Sequence, residues 1–259
     1  MGKQHRTALA LAVCAATTAG GALQTQASAA PRTESDLDGL SGQEIARKAV
    51  KELNSASSLR LKMKARDLEL DLTLDEKANC AGKITIPGKG SVKVIKRGGT
   101  VWMKPSAAFW RHEVGGEQGE SAAERFKGRY IKGSSQDAML GANGLATACD
   151  LDAFRASAGA DTERGPGRWK RGGSTEVKGR DAVAVTRVRD EVKVRMLVAD
   201  EGKPYPLKLE REAGPERDQI RLGRYDRPVP EKTPSKEKTI DVSELRDGLG
   251  ERQGPSEEV

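Results

Sequence analysis

Chemistry-bearing side chains are scarce in this chain. Two histidines and three cysteines occur in 259 residues, and no GxSxG, HExxH or phosphate-loop pattern accompanies them. The common serine-hydrolase, zinc-hydrolase and nucleotide-binding readings therefore lose their motifs. His112 stands alone in a charged stretch, and no Asp or Glu sits in an apolar context that would raise its pKa. Aromatics make up only 3%, too few for a platform on which nucleic-acid bases stack. No enzyme, cofactor, metal ligand or nucleic-acid partner is expected.

Long apolar runs are missing as well, apart from the beginning. Met1 to Ala29 carries Lys3, His5 and Arg6, then an uncharged apolar and small-residue run, then Ala27-Ser28-Ala29. A basic start, a short apolar middle and an A-x-A end describe an export signal, with cleavage after Ala29. Leu11-Ala12-Val13-Cys14 resembles a lipid-attachment box, but Val13 is bulky where such boxes take small residues. Release is expected over anchoring at Cys14. Nothing later in the chain is long and apolar enough to span a bilayer.

Loss of that leader removes Cys14 and leaves Cys80 and Cys149, an even pair in an oxidising compartment, for which a disulfide is the default. A zinc or redox site would want a CxxC or a neighbouring histidine, and neither is there. The formal net charge is +7, of which the leader contributes Lys3 and Arg6, and the rest is spread along the chain. Lys and Arg alternate with apolar residues in Arg60/Lys62/Lys64 and Lys193/Arg195, the pattern of a solvated strand face. Weak attraction to an anionic membrane or cell-wall surface is compatible with that excess.

What the chain does have is alternation. Cys80 to Trp110 reads as three short strands joined at Pro87-Gly88-Lys89-Gly90 and Arg97-Gly98-Gly99, a meander. Before it, Leu59/Leu61/Met63 and Leu68/Leu70/Leu72/Leu74 mark two strands with charged opposite faces. Ser41-Gly42-Gln43-Glu44 is a capping box opening a helix from Ser41 to Asn54, whose apolar stripe is expected to rest on those two strands. Pro105 to Ile131 reads as irregular, with Phe109, Trp110, Phe126 and Tyr130 packed locally. Ser134 to Ser157 reads as helical, carrying Cys149 to cover the sheet. A second meander of about five strands runs from Ser174 to Tyr225, and Ile240/Val242/Leu245 suits a closing strand or short helix. The implied organisation is a leader over 1–29, a mobile segment over 30–39, one α+β domain over 40–246 and a disordered tail over 247–259. Residues alone favour a solid interior over a ligand cleft.

The order of pieces nevertheless resembles a known family. Leu59-Arg60-Leu61-Lys62-Met63 after a helix, Val101-Trp102-Met103-Lys104-Pro105 with Trp110 after a glycine hairpin, Cys149-Asp150-Leu151, Pro204-Tyr205-Pro206-Leu207 and Tyr225-Asp226-Arg227-Pro228-Val229 follow one another as in the actinobacterial LolA/LppX-like envelope proteins. The resemblance runs loosely over Gly39 to Leu245. It implies a half-barrel, a large curved antiparallel sheet covered by a few helices, and a lipid or acyl-chain ligand held between the layers by a monomer. The ligand surface it implies is Leu59, Leu61, Met63, Leu70, Leu72, Trp102, Val194 and Met196. A one-residue error of register would invert any of these. The alternative on the same fold is an envelope sensor or interaction module with a filled core.

Overall fold

Helix α1 (Gly42–Ser55) starts at the expected cap. The Ser41 hydroxyl accepts from the Glu44 amide at 3.3 Å, the Glu44 carboxylate accepts from the Ser41 amide at 2.8 Å, and these bonds hold the Glu44 carboxyl below the usual carboxylate range. The structure is a computed structural model that describes residues 35–137, 140, 147–163 and 168–250. Residues 1–29 and 251–259, and with them the leader, Cys14 and most of the tail, lie outside the described residues.

Alternation then takes over. Strands β1 (Ser58–Lys64), β2 (Glu69–Asp75), β3 (Cys80–Ile86), β4 (Gly90–Arg97) and β5 (Thr100–Pro105) form one antiparallel run. Later in the chain β7 (Lys170–Glu176), β8 (Asp181–Arg189), β9 (Val192–Ala199), β10 (Pro206–Ala213) and β11 (Glu216–Gly223) form another. Antiparallel pairing of β1 with β11, Leu61 opposite Leu222 and Met63 opposite Ile220, joins the two. Beyond β5 lie β6 (Tyr130–Ser134) and, parallel to it, β12 (Thr239–Asp241). The result is one curved sheet of order β12-β6-β5-β4-β3-β2-β1-β11-β10-β9-β8-β7, the α+β half-barrel. The described residues end with helix α5 (Val242–Gly250), so Ile240 lies in a strand and Leu245 in a helix.

One face of the sheet is apolar and faces helices; the other is charged. On the outer face Arg60 makes a two-pronged bond to Asp71 at 2.7 and 2.8 Å, joined by Lys62 at 2.9 Å. The Arg60 guanidinium keeps the Asp71 carboxyl below its ordinary range. Such half-exposed pairs each contribute about 0–1 kcal/mol, so burial on the inner face carries the stability.

Three expectations change. The stripe of α1 lies over β7 to β10 rather than on the two strands that follow it. Ile45, Ala46 and Ala49 pack with Trp169, Val183, Val185, Met196 and Val198, and only Leu53 joins the cluster holding Leu59 and Leu61. The reason is the β1–β11 seam, which brings the second meander beside β1 and under the helix. Gly42 permits the approach, since a Cβ there would stand 2.5–2.6 Å from the backbone of Trp169 to Arg171.

Pro105 to Ile131 holds two helices, α2 (Ala107–Glu113) and α3 (Gly116–Arg125), rather than irregular chain. Ser106 caps α2 by accepting from the Phe109 amide at 3.2 Å. Helix α3 is polar throughout but for Ala122 and Ala123, which is why periodicity does not reveal it; it is stabilised by packing on α2, with Trp110 and Phe126 ring centroids 5.5 Å apart. Ser134 to Ser157 is not continuously helical either: Ser134 ends β6, and helix α4 spans Leu151–Glu163. Met139 and Leu145 lie outside the described residues.

Cys80, at the start of β3, is bonded to Cys149, in a 3-10 turn just before α4, with their Cα atoms 5.4 Å apart. The bond closes a 69-residue separation and fixes α4 to the sheet. On the chain-entropy model, replacing both cysteines by serine should cost about 4 kcal/mol of unfolding free energy. Urea titration of the double variant, or of the protein with and without reductant, measures it, and an unchanged midpoint would contradict that assignment of the stability.

A second tie joins three strand ends. Asp226 accepts from the Ser57 amide at 2.8 Å and from the Tyr205 hydroxyl at 2.7 Å, and Tyr205 stacks on Tyr225 with centroids 3.9 Å apart. The Tyr225 hydroxyl donates to the Pro206 carbonyl, and its burial pushes its pKa well up. The Tyr205 bond, then those from Ser57, hold the Asp226 carboxyl below 3.8. A depressed carboxyl stabilises the fold fully above its unfolded value and loses that contribution as the pH falls through the folded one. Asp226→Asn should therefore lower stability by about 1 kcal/mol at neutral pH. The gap from wild type should close as thermal melts are taken below the ordinary carboxylate range.

Candidate ligand cleft

The register places one continuous apolar row across the inner face. Val92, Ile84, Leu70, Met63, Ile220, Leu209, Met196 and Val185 are successive partners from β4 to β8. Its two ends are sealed: Val92 and Ile84 belong to the cluster that includes Trp110 of α2, and Met196 and Val185 lie under α1, all at 2% exposure or less. The four residues between them, Leu70, Met63, Ile220 and Leu209, remain partly exposed. Leu209 touches both clusters. Between the helix-covered halves the sheet thus shows an apolar strip four strands wide, roughly 15–20 Å at the usual strand spacing. Partly buried Phe109 of α2, Val114 just after it and Phe154 of α4 also pack against the main cluster.

One end of this face turns polar. Two residues beyond Met196 and Leu209 in the register stand Val194 and Arg211, with Arg187 opposite Val194 and Asp218 opposite Arg211. Arg187, Arg189, Asp190, Val192, Val194 and Arg211 line a groove of about 250 Å³. Arg211 pairs with Asp218 at 2.9 Å, Arg189 with Asp190 at 2.9 Å, and the Arg187 guanidinium lies 5.0 Å from the Trp169 ring centroid. Apolar strip and arginine-rich end adjoin through Val194, an arrangement suited to a molecule with a greasy and an anionic part.

The sequence-derived ligand residues separate into three groups. Met63 and Leu70 fall in the strip, and Val194 at its polar end. Leu59, Leu61 and Leu72 share the inner face but are 0–4% exposed, as is Met196 at 2%; they form the floor and walls. Trp102 is corrected: Val101 and Met103 are the buried pair of β5, so Trp102 points to the outer face, with Ile95 and Lys132 as its strand neighbours. Alternation decides this against the placement that the resemblance implied. Ile220 and Leu209 were missed. The alternation of Leu207/Leu209 and Ile220/Leu222 in the sequence would have found them, once β1 was known to pair with β11. Among the described residues no group of three or more His, Cys, Asp or Glu stands ready to hold a metal, and no described helix is long and apolar enough to cross a membrane.

No family model matches this sequence, and no curated protein does. Solved structures do. LprF from Mycobacterium bovis superposes with a TM-score of 0.52 at 13% identity, covering 75% of this chain and 97% of that one. The chain has the fold of LprF. The Mycobacterium tuberculosis lipoprotein LppX is similar at TM-score 0.47 and 9% identity, covering 74% of this chain and 98% of its own. A LolA superfamily protein from Nitrosomonas europaea is more distant, at TM-score 0.23 and 11% identity over 78% of this chain and 98% of that one. At these identities the likeness concerns the fold alone, that of LprF, and the cleft is argued from this chain's own residues.

Proposed function

We propose that the protein is a non-enzymatic, extracytoplasmic binder of an acyl-chain lipid, seating the chain on the Leu70–Met63–Ile220–Leu209 strip and its anionic headgroup towards Arg211 and Arg187. The observation that carries this reading is the strip itself. A sheet whose only purpose was a filled core would be covered across its middle as it is at both ends. Thioether flexibility at Met63 suits chains of varied shape, and the adjoining arginines offer charge-assisted bonds to a carboxylate or phosphate. The leader expected over 1–29 is in keeping with a binder that works outside the cytoplasm, and a monomer suffices because the cleft lies within one chain.

One observation favours the alternative, an envelope sensor or interaction module. Leu72, Val94 and Val185 in the two clusters are at 0% exposure, the packing that a filled core needs. Native mass spectrometry of protein purified from its host, with titration of a fluorescent long-chain fatty acid, separates the two. Copurifying lipid and saturable binding are expected. Met63→Asp and Ile220→Asp should weaken binding at least about tenfold, because a buried carboxylate must be desolvated, while Trp102→Ser should leave it intact. Ligand-free protein that ignores the fatty acid would make the strip a protein-docking surface instead.

A further inference from the structure

The outer face of the sheet divides sharply by charge. Over β1, β2, β9, β10 and β11 nearly every cation has an acid: Arg60 and Lys62 with Asp71, Lys64 with Glu69, Arg195 and Lys208 with Glu210, Lys193 and Arg217 with Glu212. Over β3, β4 and β5 lysine faces lysine, although Asp71 of β2, already held by Arg60 and Lys62, stands opposite Lys83 on its other side. Lys83 is the strand partner of Lys93, and Lys93 of Lys104, and none of the three has an ion-pair partner among the described residues. Like charges directly opposite each other in a sheet destabilise it. Burial, then the nearby charges of Lys93 and Lys238, press the Lys104 ammonium below its ordinary pKa.

Apolar side chains stand in the same patch. Trp102 and Ile95 are strand partners on this face and are partly exposed, and Tyr130 lies under the Lys104 ammonium at 4.8 Å. Towards α2 the three lysines and Lys127 border a groove of about 280 Å³ with Trp110 and Ala123 in its wall and no carboxylate in its lining.

We propose that this outer face of β3 to β5 docks on the headgroup layer of an anionic lipid bilayer. Strands stand about 4.8 Å apart, so the ladder spreads its charges over a flat area rather than converging them on one small anion. A bilayer surface accepts this combination, because lipid phosphates attract lysines while the interfacial zone takes the bodies of Trp and Tyr. The mismatch that weakens the sheet by itself becomes favourable at that surface. Docking of this kind does not depend on whether the inner cleft holds a ligand.

Sedimentation of the purified protein with vesicles tests it, comparing equimolar phosphatidylglycerol and phosphatidylcholine with phosphatidylcholine alone. Both vesicles offer acyl chains, but the cleft's arginine end would itself favour an anionic headgroup, so Met63→Asp, which bars the chain from the cleft, is measured alongside and should keep the preference. Binding to the anionic vesicles is expected and should fall steeply between 0.1 and about 0.5 M salt, as screening shortens. Lys83→Gln with Lys93→Gln should weaken it by roughly tenfold to thirtyfold, about one lysine's worth of surface attraction for each. The control pair Lys51→Gln with Lys77→Gln, which removes the same charge elsewhere, should change it less than about twofold and melt with the wild type, while the Lys83/Lys93 pair should melt at or slightly above it as the repulsion is relieved. Quenching of tryptophan fluorescence by brominated phosphatidylglycerol should be reduced in Trp102→Phe. Equal binding to both vesicles, equal losses in the two double variants, or release by millimolar inorganic phosphate would each overturn the proposal.

Discussion

Pairing of β1 with β11 is the constraint on which everything else rests. Each meander alone is an apolar-faced ribbon with two open margins; joined along Leu61/Leu222 and Met63/Ile220, they become one face broad enough to need two separate sets of helices. Helix α1 takes the β7–β10 side and α2 with α3 the β3–β5 side. Because the seam lies midway between the two, it is the part of the inner face left half uncovered. The same hydrogen-bonded ladder thus closes the fold and defines the cleft. The Ser57–Asp226–Tyr205 tie sits at one end of this seam and fixes its register from outside the ladder.

Local signals in the sequence were sufficient for local structure. The capping box at Ser41, the two meanders and the glycine hairpins are each written in a few neighbouring residues, and each is present in the fold; the Cys80–Cys149 bond followed from cysteine count alone. What was not legible involves partners far apart in the chain. Placement of α1 required knowing that β11 lies beside β1, more than 150 residues away. Helix α3 has almost no apolar stripe and owes its form to α2. Strand β6 is five residues long and takes part of its pairing from β12, a parallel contact that no turn announces. Ile220 and Leu209 were invisible as site residues for the same reason, since a strand's face has meaning only once its neighbours are known.

Trp102 shows how a resemblance misleads. A large aromatic inside a family-like strand invites an interior role, yet the flanking Val101 and Met103 claim the inner face, and strict alternation leaves no choice. The two faces of β5 therefore serve separate ends: the inner one completes a core, and the outer one sets an indole among lysines. Physical alternation was the stronger rule here, and it also explains why the unpaired lysines share the outer side with that indole.

An unclosed sheet has two free margins, and in this chain both are poor templates. At one, β12 is only three residues long and runs parallel to its neighbour. At the other, β7 carries Lys170 and Arg171 and is interrupted by a register shift between Arg171 and Ser174, at Gly172-Gly173. A neighbouring molecule would find neither a long nor a flat row of amides to extend. That is a guard against fibre-like stacking, and it is required of any sheet that stays open along its sides.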